Sequence, residues 1–328
     1  MITLRDIYVR HFRGSAFGNA ARRFWYFCKA WRAQPERRMS SIGNTRGWRS
    51  GLVDPWRGAL QQVRLFRYRA RYVIRYHWPR VRTGISWLWE SRESSNFTYD
   101  LTPRNEEHLA QLLAFALRRP AEEIAGYISE LRHDQALKDV VIGQVRSLGR
   151  QGGYDPTARF GRRLGWYAVV RALKPKVVIE TGIEKGLGAA VLCAALLRNF
   201  QEGHHCRYYG TDIDRAAGML LCEPYRSLGT ILYGDSIETL SALDVKVDVF
   251  INDSDHSPEY EGREYRVIAP KLSEGAVIIA DNAHVSDELL KFSRETGRQF
   301  LFFREEPANH WYLGAGIGLS FGPAMARA

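Results

Sequence analysis

Three short runs in the second half of the chain each leave an apolar stretch for residues that can hold a nucleotide. The first is Glu180-Thr-Gly182-Ile-Glu-Lys-Gly186-Leu-Gly188. Glycines at such a turn let the backbone bend tightly and approach a ligand, and the helix N-terminus that follows can receive a carboxylate or phosphate. The second is Gly210-Thr211-Asp212-Ile213-Asp214, where Asp212 is placed to bind the two hydroxyls of a ribose. The third, Gly234-Asp235-Ser236, offers polar groups to an adenine or its ribose. One glycine-rich turn is a weak signal, but three such ends in succession point to a nucleotide-like cofactor.

These runs need a scaffold that brings strand ends together, and the surrounding pattern supplies one. From about residue 155, helical and β-rich stretches alternate. Asp155-Pro156 is expected to cap a helix running to Leu173. Residues 176–182, 207–214, 230–235, 247–253, 276–281, 300–305 and 316–321 read as strands. Residues 187–200 and 215–228 read as helices, with others after 236, 258 and 285. Strands alternating with helices imply a doubly wound, mostly parallel seven-stranded α/β sheet covered on both faces, with ligands bound outside the carboxyl ends of the strands. The last two β runs should form an antiparallel pair at the sheet edge. Residues 101–154 read as a small helical cap module. It begins with Thr102, Pro103 and early acids, then carries Leu109, Leu112, Leu113, Ala116 and Leu117 on one side.

Residues 160–321 resemble the class I S-adenosylmethionine-dependent methyltransferases, with ETGIEKGLG similar to their motif I, GTDID to their ribose-binding acid and GDS to their adenine-side motif. On this basis Glu180, Gly182, Gly186, Gly188, Asp212, Asp235 and Ser236 are the expected cofactor residues. A Rossmann dehydrogenase is disfavoured, because Glu180 stands where a GxGxxG would begin, and no Walker lysine-Ser/Thr pair follows. VDVFINDSDHSPEY and AVIIADNAH further resemble the cation-dependent O-methyltransferases, relatives of the catechol, caffeoyl-CoA and macrocin enzymes and of the cephalosporin hydroxylase-like family. That resemblance implies Asp253, Asp281 and Asn282 as oxygen ligands of Mg²⁺ or Mn²⁺. Such hard ligands suit those ions, and a bound cation lowers the pKa of a substrate hydroxyl and orients it. Asn252 is a departure, since the family often has an apolar residue there.

His256 follows Asp253 by three residues. The catechol-type enzymes have a basic lysine at that offset, and their sugar-modifying relatives a histidine. An imidazole can accept a hydroxyl proton at neutral pH; alternatively His256 only bonds Asp255 or caps the helix from Pro258. Asp255 is read as a carboxylate behind the ligands, a ligand itself, or a solvent-facing charge. His284 and His310-Trp311-Tyr312 either line the acceptor pocket or serve surface and packing. Glu184 and Lys185 are read as solvated, and Arg159, Arg162 and Arg163 as a solvated helix face that alternatively closes over the cofactor.

The chain has 328 residues and a formal net charge of +11. Residues 1–82 hold 19 Lys+Arg against 3 acids, or +16, which leaves −5 for the remainder. The basic excess therefore says nothing of the reaction. It belongs to an N-terminal extension, residues 1–100, that also carries Trp25, Trp31, Trp48, Trp56 and Trp78. Residues 17–32 have the spacing of an amphipathic helix, 43–58 read as a glycine-rich loop, and 61–82 fit either a strand or a helix. The extension suits an anionic membrane surface, a nucleic-acid backbone, or a packing role that includes the acidic half of a second subunit. Nucleic acid is disfavoured for want of any zinc or helix-turn-helix signature. Four cysteines without CxxC pairing, no apolar run long enough to span a membrane and no signal-peptide core lead to the expectation of a cytoplasmic protein, at most peripheral at the membrane.

The resulting expectation is an S-adenosylmethionine-dependent, divalent-cation-assisted O-methyltransferase acting on a hydroxyl of a small molecule or saccharide, with residues 155–328 as its catalytic domain. The alternatives are a metal-independent N- or O-methyltransferase, or a non-catalytic cofactor-binding protein of the membrane surface.

Overall fold

Runs rich in Val, Ile, Phe and Tyr pair side by side in the computed structural model, which describes residues 55–93, 98–149 and 155–322. The strands are β1 (Val177–Thr181), β2 (Arg207–Asp212), β3 (Gly229–Tyr233), β4 (Val247–Asn252), β5 (Leu272–Ala280), β6 (Gln299–Arg304) and β7 (Gly316–Phe321), in the order β3-β2-β1-β4-β5-β7-β6. β3, β2, β1, β4 and β5 are parallel, so their carboxyl ends share one edge. β7 runs antiparallel between β5 and the edge strand β6. The strand order reverses between β1 and β4, the place where such sheets open a crevice.

Side chains alternate across the sheet with the period of two that a strand imposes. Val178, Val249, Ile251, Val277 and Ile279 face one apolar cluster, while Ile179, Phe250 and Ile278 face the other. The first cluster is covered by α2 (Pro103–Leu117), α3 (Ala121–Arg132), α4 (Gln135–Ser147), α5 (Arg163–Leu173) and α6 (Leu187–Gln201), with Trp166 and Tyr167 fully buried. The second lies under α7 (Ser236–Ala242), α8 (Pro258–Ile268) and α9 (Glu288–Glu295). Thr102 caps α2 as its sequence suggests, accepting the amide of Asn105.

Two expected helices differ. Asp155 does not cap a helix: its carboxylate accepts from Ser91 Oγ and the amide of Arg92, and α5 begins only at Arg163, after a turn at Gly161 with φ of 49°. Residues 215–228 form turns and a short 3₁₀ stretch, Tyr225–Leu228, rather than an α-helix. Gly218, at φ of 83°, and Pro224, which lacks an amide donor, interrupt it.

Within residues 61–82 the helical period prevails over the alternation of arginines. α1 spans Pro55–Glu90, so the last four residues of the expected 43–58 loop are helical as well. Arg64, Arg67, Arg71, Arg75 and Arg82 lie along one ridge at three-, four- and seven-residue steps. Exposed Val63, Ile74 and Val81 run along one side of it, and exposed Phe66 and Val73 lie on the opposite face. The chain divides into two compact units between Tyr68 and Arg69. The expected helix over residues 17–32 and the rest of the 43–58 loop lie outside the described residues. Among the described residues no helix is long and apolar enough to cross a membrane.

Candidate active site at the carboxyl ends of the strands

A cavity of about 650 Å³ opens where β3, β2, β1, β4 and β5 end, and it is lined by residues from all five strand ends. After β1 the chain turns at Gly182, where φ is 73° and a Cβ would collide with the carbonyl oxygen of Asp253. The bare backbone is thus a condition of β1 and β4 ending side by side. The amide of Asp253 donates to Thr181 O at 3.1 Å, and that of Asp281 to Asn252 O at 2.8 Å, continuing the ladders beyond the strands.

Of the expected cofactor residues, Gly182, Asp212, Asp235 and Ser236 line the cavity. Asp212 accepts from the amides of Glu184 and Asp214, both at 2.8 Å, and so ties the glycine turn to the end of β2. Asp235 caps α7 through the amides of Ile237 and Glu238 and accepts from the Tyr260 hydroxyl at 3.0 Å. Glu180, Gly186 and Gly188 do not line the cavity. Glu180 is buried below the turn, accepts from the Tyr208 hydroxyl at 2.5 Å, and leaves no room for a side chain at Gly188. Burial pushes its carboxyl up to about 7, against the opposing Tyr208 bond. Gly186, at φ of 92°, passes so close to Gly218 that a Cβ would lie 2.8 Å from its Cα. These three residues shape the turn; they do not face the ligand space.

On the other side of the cavity Asp253, His256 and Asp281 place ligand-type atoms within 4.8 Å of one another. Asp281 is completely buried, and both its oxygens accept from Arg162, through Nε and Nη2. Arg162 and Arg163 are themselves buried rather than part of a solvated face, whereas Arg159 is exposed, 3.7 Å from Asp100. The remaining Arg162 amino group donates to Tyr99 Oη at 3.0 Å, and Tyr99 donates to Glu305 at 2.5 Å. Burial and the charge of Asp281 hold the Asp253 carboxyl well above its usual range. Burial would raise Asp281 too, but the Arg162 guanidinium overrides it and keeps that carboxyl below its ordinary value. The pair therefore favours one shared proton, carried by Asp253.

Asn282, in the left-handed region at φ of 52°, turns its amide nitrogen to within 3.1 Å of His256 Nε2. The amide donates, so Nε2 is the ring's unprotonated nitrogen and Nδ1 carries the hydrogen. Nδ1 lies 3.6 Å from Oε1 of Glu261, a buried acid of α8 whose other oxygen accepts from Ser286. Asp255 lines the cavity and accepts from the amide of Ser257. Glu184 and Tyr312 also line it, whereas His284 is exposed and neither it nor His310 and Trp311 reaches the wall.

Sequence reasoning passed over Tyr99, Glu261 and Glu264, and read Arg162 as part of a solvated face or a closure over the cofactor. Glu264 gathers Ser236 and Ser254 on one oxygen and Thr181 and Asn252 on the other. That accounts for the polar Asn252 inside β4: it joins the sheet to α8. The available signals were small. Two arginines stand between Gly161 and Gly165 at the start of an otherwise apolar helix, and two acids on α8 fall three residues apart.

Residues 179–283, which run from β1 through the turn after β5, match the model of the methyltransferase-domain family. No protein of curated function matches the chain by sequence. Similar solved structures include the S-adenosylhomocysteine-bound methyltransferase PaMTH1 of Podospora anserina, at 15% identity and a TM-score of 0.43 over 61% of this chain and 94% of that one. The O-methyltransferase TomG of Streptomyces achromogenes, involved in tomaymycin synthesis and solved with S-adenosylmethionine, is similar at 16% identity and a TM-score of 0.42, over 58% of this chain and 90% of that one. An O-methyltransferase of Bacillus cereus, solved with S-adenosylhomocysteine, is similar at 13% identity and a TM-score of 0.43, over 58% and 91%. The strand order and the acid-ended strands accompany this match, over residues 179–283, to a methyltransferase domain.

Proposed function

We propose that the chain transfers a methyl group from S-adenosylmethionine to a hydroxyl of a small molecule or saccharide held in the 650 Å³ cavity. The observation that carries this reading is the opposition of two sets of residues across one crevice. Gly182, Thr211, Asp212, Asp235 and Ser236 stand on the β1 to β3 side, and His256, whose Nε2 faces the Asn282 amide at 3.1 Å, on the β4 side. The first set suits the cofactor. Thr211 contributes a buried hydroxyl oxygen without a hydrogen-bond partner, Asp212 suits a ribose, and the turn at Gly182 admits close backbone approach. The bound cofactor supplies a methyl group on a cationic sulfur, which leaves as the neutral thioether. His256 Nε2 takes the hydroxyl proton once an acceptor displaces the Asn282 amide, and the Glu261 carboxylate, 3.6 Å from Nδ1, favours the charge that results. Positioning of the two partners does most of the remaining work.

A divalent cation on Asp253, Asp281 and Asn282 is the finer form of this reading. The donor types suit Mg²⁺ or Mn²⁺, and the carboxylates are close enough. The arrangement does not suit a cation as it stands. Both oxygens of Asp281 are held by Arg162, and Asn282 presents nitrogen rather than oxygen to the group beside it. No step is therefore assigned to a metal.

Calorimetry with S-adenosylmethionine, followed by S-adenosylhomocysteine release against sets of diols, phenols and glycans, tests the proposal. Cofactor binding with turnover on a hydroxylated acceptor is expected. A folded protein that binds no cofactor, or that methylates only amines, overturns it.

A further inference from the structure

We propose that the guanidinium of Arg162 takes the place of a divalent cation in this site, so that methyl transfer proceeds without a metal; this rests on the O-methyltransferase reading above. Arg162 is 7% exposed, and its donors are distributed in two directions. Nε and Nη2 form a fork on the two oxygens of Asp281, the planar match that makes arginine the favoured partner of a carboxylate. Nη1 turns to Tyr99 Oη at 3.0 Å and lies 3.8 Å from Glu305 Oε1. A charge is retained in such a place only when its surroundings answer it, and here two carboxylates and a phenol do so.

The support comes from separate parts of the chain. Tyr99 precedes α2, Arg162 stands at the start of α5, Asp281 follows β5 and Glu305 follows β6. The turn that delivers Arg162 is tightly set: a Cβ on Gly161 would meet the Tyr99 ring at 2.6 Å. Glu305 is held in turn by the amide of Ala315 at 2.8 Å. A surface arginine that had swung inward would have none of this.

Two consequences follow for a cation. It would have to break a bidentate pair to reach Asp281, and it would then sit beside a fixed positive charge, a repulsion little screened in a buried site. Arg162 already supplies the positive charge that a metal would bring beside Asp281, while activation of an acceptor hydroxyl, which a metal would also provide, is left to other groups. Arg162 acts through Asp281 and is a positioning residue. The proton of the acceptor remains the task of His256.

Mn²⁺ binding, followed by loss of the free-ion electron paramagnetic resonance signal, tests this on the full chain without any acceptor. Wild type is expected to leave the signal unchanged into the millimolar range, with S-adenosylhomocysteine release indifferent to EDTA. Arg162→Met should bind Mn²⁺ at least about tenfold more tightly than wild type, and Arg162→Lys should restore the exclusion. Stoichiometric Mn²⁺ binding by wild type overturns the proposal, as does an Arg162→Met protein that melts cooperatively yet takes up no Mn²⁺. Should Arg162→Met not fold, wild type and Arg162→Lys decide the question by the same signal. Failure of the methyltransferase reading would appear separately, as absent calorimetric binding of S-adenosylmethionine.

Discussion

Oε1 of Glu261 lies 3.6 Å from Nδ1 of His256, while Nε2 of the same ring faces Asn282 at 3.1 Å. The amide donor makes Nε2 the accepting nitrogen, and the buried carboxylate near Nδ1 favours the ring's charge once Nε2 takes a proton. His256→Gln should lower methyl transfer by roughly 10²- to 10⁴-fold. Glu261→Gln should lower it less, by about tenfold or more, and alter the shape of the pH–rate profile. Calorimetry should find S-adenosylmethionine affinity unchanged in both. A His256→Gln enzyme with wild-type turnover would remove the base from the mechanism.

Glu180 and Glu264 make the fold sensitive to pH. Burial pushes both carboxyls from 4.5 up to about 7. Each keeps its proton in the folded chain over a range where the unfolded chain has lost it. The stability they contribute is complete below pH 4.5 and is lost as the pH rises to about 7, up to about 3 kcal/mol for each group. Glu264→Gln should flatten that decline, its amide nitrogen turned to Ser236 and Ser254 and its oxygen to Asn252. Denaturant melts of both proteins on either side of this range would measure the difference. A parallel decline in the two would exclude Glu264 as a cause.

Gly182→Ala should cost about 2 kcal/mol or more, since the new Cβ meets backbone rather than a movable side chain and φ there is 73°. Thermal melts would register the loss. Cofactor binding should fall with it, because the same turn forms the wall of the cavity.

Asp212→Ala should weaken S-adenosylmethionine binding by about tenfold or more, or about 1.4 kcal/mol. It also releases the amides of Glu184 and Asp214, so the comparison with Asp235→Ala is informative. That second variant removes the α7 cap and should lower stability by about 1 kcal/mol. Unaltered affinity in both would place the cofactor elsewhere.

Arg71, Arg75 and Arg82 on one face of α1, with exposed Ile74 and Val81 along one side, have the chemistry of a surface for anionic lipid, and that partner is our proposal for them. The full chain should float with phosphatidylserine-containing vesicles, not with neutral ones, and should lose this when Arg71, Arg75 and Arg82 are changed to Glu. Equal flotation with both vesicle types, or with neither, would discard the idea.

What was legible in the sequence was punctuation. Gly182, Asp212, Asp235 and Asp253 follow apolar runs directly, so their place at strand ends could be counted off, and the sheet order makes them neighbours. Glu180 and Gly188 belong to the same run, yet they point below the turn, and spacing alone does not distinguish a residue under a ligand from one beside it. Arg162 was hidden for a different reason. Its partner Asp281 is 119 residues away, and an arginine at a helix start looks alike whether it meets water or a buried acid. Glu261 and Glu264 resemble an ordinary solvated helix face until α8 is docked on β4. The expected helix over 215–228 failed because apolar spacing was weighed above Gly218 and Pro224.

The family match covers residues 179–283, and Tyr99, Arg162 and Glu305 all lie outside it. Asp253 and Asp281 thus lie within the matched stretch, while their counter-charge, Arg162, lies outside it. Electroneutrality here is a property of the whole second unit, joined across 206 residues by the bond between Tyr99 and Glu305. A fragment trimmed to the recognisable core would keep Asp253 and Asp281 but leave them mutually repelling. Such a fragment should be an anion in search of a cation.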